Sequence, residues 1–135
     1  MSMTLNERNP NVDAIYIGSQ ITVTTVILPG LYFRKHSRIK NVWFVDQAGI
    51  TLSASNYQTV TLQDMTGAPV VYAKIATSAV AAVANTPLLM VPTTPVGTDL
   101  NEVDVPAGTM LTAKVVGTGT AVLTSAILLV EWYPC

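Results

Sequence analysis

The residues that could do chemistry are few and scattered. Histidine occurs once, at His36, within the run Arg34-Lys35-His36-Ser37-Arg38-Ile39-Lys40. An imidazole can act as a general base or a metal ligand, but either task needs convergent partners. Its neighbours in this run are cations, so it reads as their solvated companion. Cysteine also occurs once, at Cys135, which excludes an intrachain disulfide. No histidine stands near it in sequence to activate the thiol. Asp99, Glu102 and Asp104 space three carboxylates as D-x-x-E-x-D. Calcium favours clustered carboxylates, but this is not an EF-hand loop, and a solvated loop is the plainer reading. A CxxC pair, an HExxH zinc motif, a phosphate-binding P-loop and a GxSxG elbow are all absent from the sequence. The expectation is a protein that is not an enzyme, with no catalytic residue, no metal site and no cofactor.

The sharpest electrostatic feature is that same run. Arg34, Lys35, Arg38 and Lys40 are four of the seven basic residues in the chain. The plain reading is a solvated loop entering a strand. The functional reading is a docking patch for an acidic protein surface, ahead of nucleic acid or an anionic glycan. The chain as a whole has a net charge of −1 and a pI of about 5.6, so no global nucleic-acid footprint exists.

The elements that would position these residues read as strands. Ser19 to Leu28 is rich in β-branched residues and is followed by Pro29-Gly30 as a stop signal. Arg38 to Asp46 and Ala68 to Ile75 are further strand-like runs. Tyr57 to Asp64 alternates cleanly, with Val60 and Leu62 on one face and Thr59, Thr61 and Gln63 on the other. Thr109 to Gly117 leads through Thr118-Gly119 into the final run, a pattern that predicts a hairpin. Ala76 to Thr86 fits a short helix, a loop crossing between sheets, or a soft strand. Leu88 to Val91, beside prolines, fits a short edge strand. Seven or eight short strands at this spacing predict an all-β, single-domain sandwich over residues 14–135. Residues 1–13, polar and without a period, predict an extended N-terminal arm that orders on a neighbouring subunit.

The last run, Ala121 to Cys135, is apolar on both faces. One parity carries Ala126, Leu128 and Val130; the other carries Leu123, Ile127 and Leu129. Hydrophobic residues make up 50% of the chain and charged residues only 11%, with a mean hydropathy of +0.43. A typical soluble domain carries roughly a quarter charged residues. One face of the last strand would meet the opposite sheet. The other, with Leu123, Ile127 and Leu129, would meet a sister subunit, so a homo-oligomer is expected. No apolar run approaches the roughly 18 residues of a membrane span, and Met1 to Asp13 has no apolar core of the signal-peptide type. The expected setting is cytoplasmic assembly without a membrane partner.

Asn41-Val42-Trp43-Phe44-Val45-Asp46, Gly49-Ile50-Thr51-Leu52, the corner Val105-Pro106-Ala107-Gly108-Thr109 and the ending Ile127-Leu128-Leu129-Val130-Glu131-Trp132 suggest a family. In style they resemble the small jelly-roll proteins that decorate tailed-phage capsids, the head decoration or cement proteins. The resemblance runs from about Ser19 to Trp132. It implies a jelly-roll-like sandwich that forms a homotrimer on the outside of an icosahedral shell, assembled in the host cytoplasm, and clamps neighbouring major capsid subunits. Two other uses of a β-sandwich stay open. One is a carbohydrate-binding or lectin-like module, for which Tyr32, Phe33, Trp43, Tyr57 and Tyr72 are candidate platforms. The other is a tail-fibre or baseplate component.

Overall fold

A computed structural model describes residues 11–20, 25–92, 95–96 and 99–135, with residues 20, 95–96 and 99–102 described as backbone alone. Every element among them is a strand. In chain order these are β1 (Asn11–Gln20), β2 (Thr25–Phe33), β3 (Ser37–Val45), β4 (Tyr57–Asp64) and β5 (Val71–Ala76). Four short or late strands follow, β6 (Leu88–Leu89), β7 (Val91–Pro92), β8 (Pro95–Val96) and β9 (Asp99–Val105). β10 (Thr109–Thr118) and β11 (Leu123–Pro134) complete the set.

The strands form two antiparallel sheets. The first runs β1-β11-β3-β9-β8, with β6 also on β3; the second runs β2-β10-β4-β5-β7. The pairings are nested: β1 with β11, β2 with β10, β3 with β9, and β4 with β5. The chain behaves as one long antiparallel ribbon rolled into two sheets, which is jelly-roll wiring. Between the sheets lies one core. Ile15, Ile39, Val42, Phe44, Leu128 and Val130 from the first sheet meet Val60, Leu62, Leu111, Ala113 and Val115 from the second. Burying a side chain of this size contributes roughly 1.5–3 kcal/mol. Alternation in β4 holds from Thr59 to Leu62, with Val60 and Leu62 fully buried and Thr59 and Thr61 half-buried; Gln63, expected on the open face, is buried beside a register shift.

Several local expectations are corrected. β10 and β11 do not form a hairpin: β10 lies between β2 and β4, and β11 lies between β1 and β3 in the opposite sheet. Gly119, at φ +69°, turns the chain across the sandwich, and the Thr120 N–H donates to Asn56 Oδ1 at 2.9 Å. Turn chemistry signals a reversal but not which sheet receives the next strand. Pro29-Gly30 does not stop β2, because β2 is the edge strand and tolerates a missing N–H there. The register skips Gly30, pairing Pro29 with Thr112 and Leu31 with Leu111. A Cβ at Gly30 would run into the Ile15 side chain, so the bulge lets the two sheets approach. Of the Ala76 to Thr86 stretch, Ala76 ends β5 and the remainder is a loop, one of the three forms its sequence allows, bridged to the first part of the chain by the Ile50–Ala82 pair. Of the expected arm, residues 1–10 lie outside the described residues, whereas Asn11, Val12 and Asp13 belong to β1 and pair with Trp132, Glu131 and Val130.

Leu123 also moves. Ser125 has φ +44°, and three steps of β11 match two of β1 between the pairs Gly18–Ala126 and Gln20–Leu123. This bulge resets the parity, so that Leu123 faces inward with Ala126 and is only 2% exposed. It belongs to the core of its own subunit, and Ile127 and Leu129 keep the outer face without it.

Candidate functional site: an apolar sheet face and a polar corner

Inward-facing Ile15, Leu128, Val130, Val42 and Phe44 oblige their neighbours on β1, β11 and β3 to face outward. Directly opposite residues share a face, so the register defines three rows. Tyr16, Ile127 and Val45 form the first; Ala14, Leu129, Trp43 and Leu89 the second; Val12, Glu131 and Asn41 the third. Tyr16 is 70% exposed, Val12 57% and Leu89 50%; Ile127, Leu129, Trp43 and Val45 are half-buried. Glu131 is the one charge in these rows, and Asn41 Nδ2 donates to its Oε1 at 2.8 Å. The outer face of the second sheet differs. There Thr61 stands between Lys114 and Lys74, and Thr59 between Val116 and Ala76. Hydroxyls and ammonium groups solvate that face; little solvates the other.

The four basic candidates border different features of the surface. Arg34 and Lys35, in the β2–β3 turn, line an open cleft of about 480 Å³ with Tyr32, Phe33, Ser37, Trp132 and Pro134. Phe33 and Trp132 meet edge to face with ring centroids 4.9 Å apart, and Trp132 Nε1 donates to Asp13 Oδ2 at 2.7 Å. Arg38 turns to other work. Its Nε lies 3.6 Å from Asp104 Oδ1, and a hydrogen bond with Tyr133 is the main cause holding its pKa above the ordinary value. Lys40 sits at the bulge in β3, where the register steps from Asn41–Glu131 to Ile39–Trp132, and borders a small hollow with Tyr72 and Met90. Among the aromatic candidates, Phe33 and Tyr72 are core residues, Trp43 and Tyr57 are half-buried, and Tyr32 is open in the cleft.

Strand pairing also builds a polar corner that the sequence hides. β3 and β9 place Arg38 opposite Asp104, and β11 and β3 place Pro134 opposite Ser37. His36, Asp104 and Cys135 thereby converge from positions 68 and 31 residues apart along the chain. His36 Nε2 lies 2.7 Å from Asp104 Oδ1, and the Cys135 N–H donates to the His36 carbonyl at 2.9 Å. One donor atom from each of the three side chains lies within 4.8 Å of the others. The side chains of Asp99 and Glu102 lie outside the described residues, and Asp104 is engaged with His36 and Arg38 instead of an acidic cluster. At the end of β3, Asp46 is fully buried and accepts the Thr124 N–H at 2.7 Å. Burial pushes its carboxyl above the ordinary value, against the hydrogen bonds that lower it.

No protein-family model matches the chain, and no curated protein matches it. Among solved structures, the N-terminal CBM22-1–GH10 modules of endo-1,4-β-D-xylanase 10B from Clostridium thermocellum, complexed with xylohexaose, align with it at 8% identity and a TM-score of 0.34. The alignment covers 92% of this chain and 26% of that one.

Proposed function

We propose that the protein is a non-enzymatic structural component of a virion, a homotrimer that decorates the outside of an icosahedral phage head and clamps neighbouring major capsid subunits. The observation that carries this reading is the outer face of β1, β11 and β3, apolar across three strands and nearly free of charge. Its occupant in this reading is a second copy of the chain. Burying several hundred Å² of it would contribute roughly 25 cal/mol per Å², which outweighs a surface ion pair of about 0–1 kcal/mol. A jelly roll is a fold used by viral shells and by lectins alike, so the face and not the fold supports the choice.

A clamp acts by mass action. It binds the assembled lattice and not dissociated coat subunits, so its binding free energy adds to lattice stability. An oligomer that touches several coat subunits gains avidity without new contacts per subunit. The test compares shells with and without the protein during heating. Delayed rupture together with binding to bare shells supports the clamp; equal stability and no binding end it. The cleft with Tyr32 and Trp132 beside Arg34 and Lys35 favours a second reading, carbohydrate binding, because aromatic faces and charged donors suit sugars. Retention on a glycan array, without shell binding, would promote it.

A further inference from the structure

We propose that His36, Asp104 and Cys135 form a site for a divalent transition-metal ion, zinc by preference, at the corner where β3 begins and β9 and β11 end. The three donors come from three separate segments, so the site exists only once the first sheet has formed. Their donor atoms already lie within 4.8 Å of one another. Zinc bonds of about 2.0–2.3 Å in tetrahedral geometry place ligand atoms about 3.5 Å apart. Small side-chain rotations close that gap, and the side chains of His36 and Asp104 are 49% and 44% exposed, which leaves them room to turn. The backbone beneath them is fixed by the ladders and by the Cys135 N–H bond to the His36 carbonyl.

The donor set selects the ion. Imidazole and thiolate favour zinc and its neighbours over magnesium or calcium, which take oxygen ligands. His36 Nε2 and Asp104 Oδ1 are joined by a hydrogen bond of 2.7 Å. In the bound form Nε2 ligates the metal with the ring's single proton on Nδ1, the ring nitrogen and carboxylate separate to ligand spacing, and the Cys135 thiol gives up its proton to solvent. Zinc with one thiolate and one carboxylate is a neutral centre, so Arg38 does not confront a net positive charge. Its guanidinium, with Nε 3.6 Å from Asp104 Oδ1, is instead placed to support the ligating carboxylate from outside, as outer partners do in metal sites. Three protein ligands leave the fourth position to water.

The experiment uses the full chain, kept reduced with a phosphine that does not compete for the ion. Cobalt(II) is titrated first, then displaced with zinc while heat is measured. The expected result is one ion per chain, with a thiolate-to-cobalt charge-transfer band and the intense visible absorption of tetrahedral cobalt. Cys135→Ser should abolish the charge-transfer band, and His36→Ala and Asp104→Asn should each weaken zinc binding at least ten-fold. The pale spectrum of hydrated octahedral cobalt, or zinc binding that none of the three substitutions changes, overturns the proposal. The spectrum of the unaltered chain decides the matter even where a variant folds poorly.

Discussion

At the residue scale, two positions are decided by their surroundings. Asp46 is buried with a raised pKa, so folding favours its protonated form. The sign follows from linkage. A folded pKa above the unfolded value gives a contribution that is fully present below the unfolded pKa and is lost as pH rises through the folded one. Asp46→Asn removes the charge and keeps an acceptor for the Thr124 N–H. The expected outcome, by thermal melts across pH 4 to 8, is a flatter stability profile and no loss near neutrality. Asp46→Ala instead leaves that N–H without its partner and should cost about 1–3 kcal/mol. Gly119 is the second position. Its φ of +69° lies in the left-handed region, and a Cβ there would meet the Ser55 carbonyl and Asn56 Oδ1. Gly119→Ala should therefore cost at least about 1–2 kcal/mol in a urea titration.

At the scale of the element, β11 separates its two roles by one residue. Leu128 is fully buried and Leu129 faces outward between Ala14 and Trp43. Leu128→Ala should cost about 2–5 kcal/mol of stability with little effect on oligomer mass. Leu129→Asp should do the reverse, since a charge buried in an apolar interface is left unpaired. Light scattering should then move towards the 14.4 kDa of a single chain while the far-UV spectrum keeps its strand form. Period-two patterns made β3, β4 and the inward parity of Ala126, Leu128 and Val130 legible from sequence. What escaped depends on strand order and bulges. Leu123 changes face because Ser125 adds a step, and the Thr118-Gly119 turn links sheets where its composition suggests a hairpin. The meeting of His36 with Asp104 and Cys135 follows from β3 lying between β9 and β11, which no local pattern encodes.

At the scale of the whole molecule, the proposed clamp has two faces with different physics. The apolar face of the first sheet would hold copies of the chain together, and that contact should resist salt. Docking on a coat surface through Arg34 and Lys35, the two cations that line the cleft, should weaken as salt screens it. Arg34→Glu combined with Lys35→Glu should reduce shell binding at low ionic strength and flatten its salt dependence, measured by co-sedimentation, while leaving the oligomer intact. Loss of the oligomer in that double variant would place the cations at the subunit contact. The nested ribbon carries a consequence in time. β1 completes its ladder only against β11, and β2 only against β10. The earliest strands to leave a ribosome must wait for the latest, with their apolar sides uncovered meanwhile. Such long-range pairing belongs to the slow class of folding topologies, milliseconds to seconds instead of microseconds. Until β11 arrives the first sheet lacks the strand that joins β1 to β3, and this interval is when the nascent chain is most exposed to aggregation.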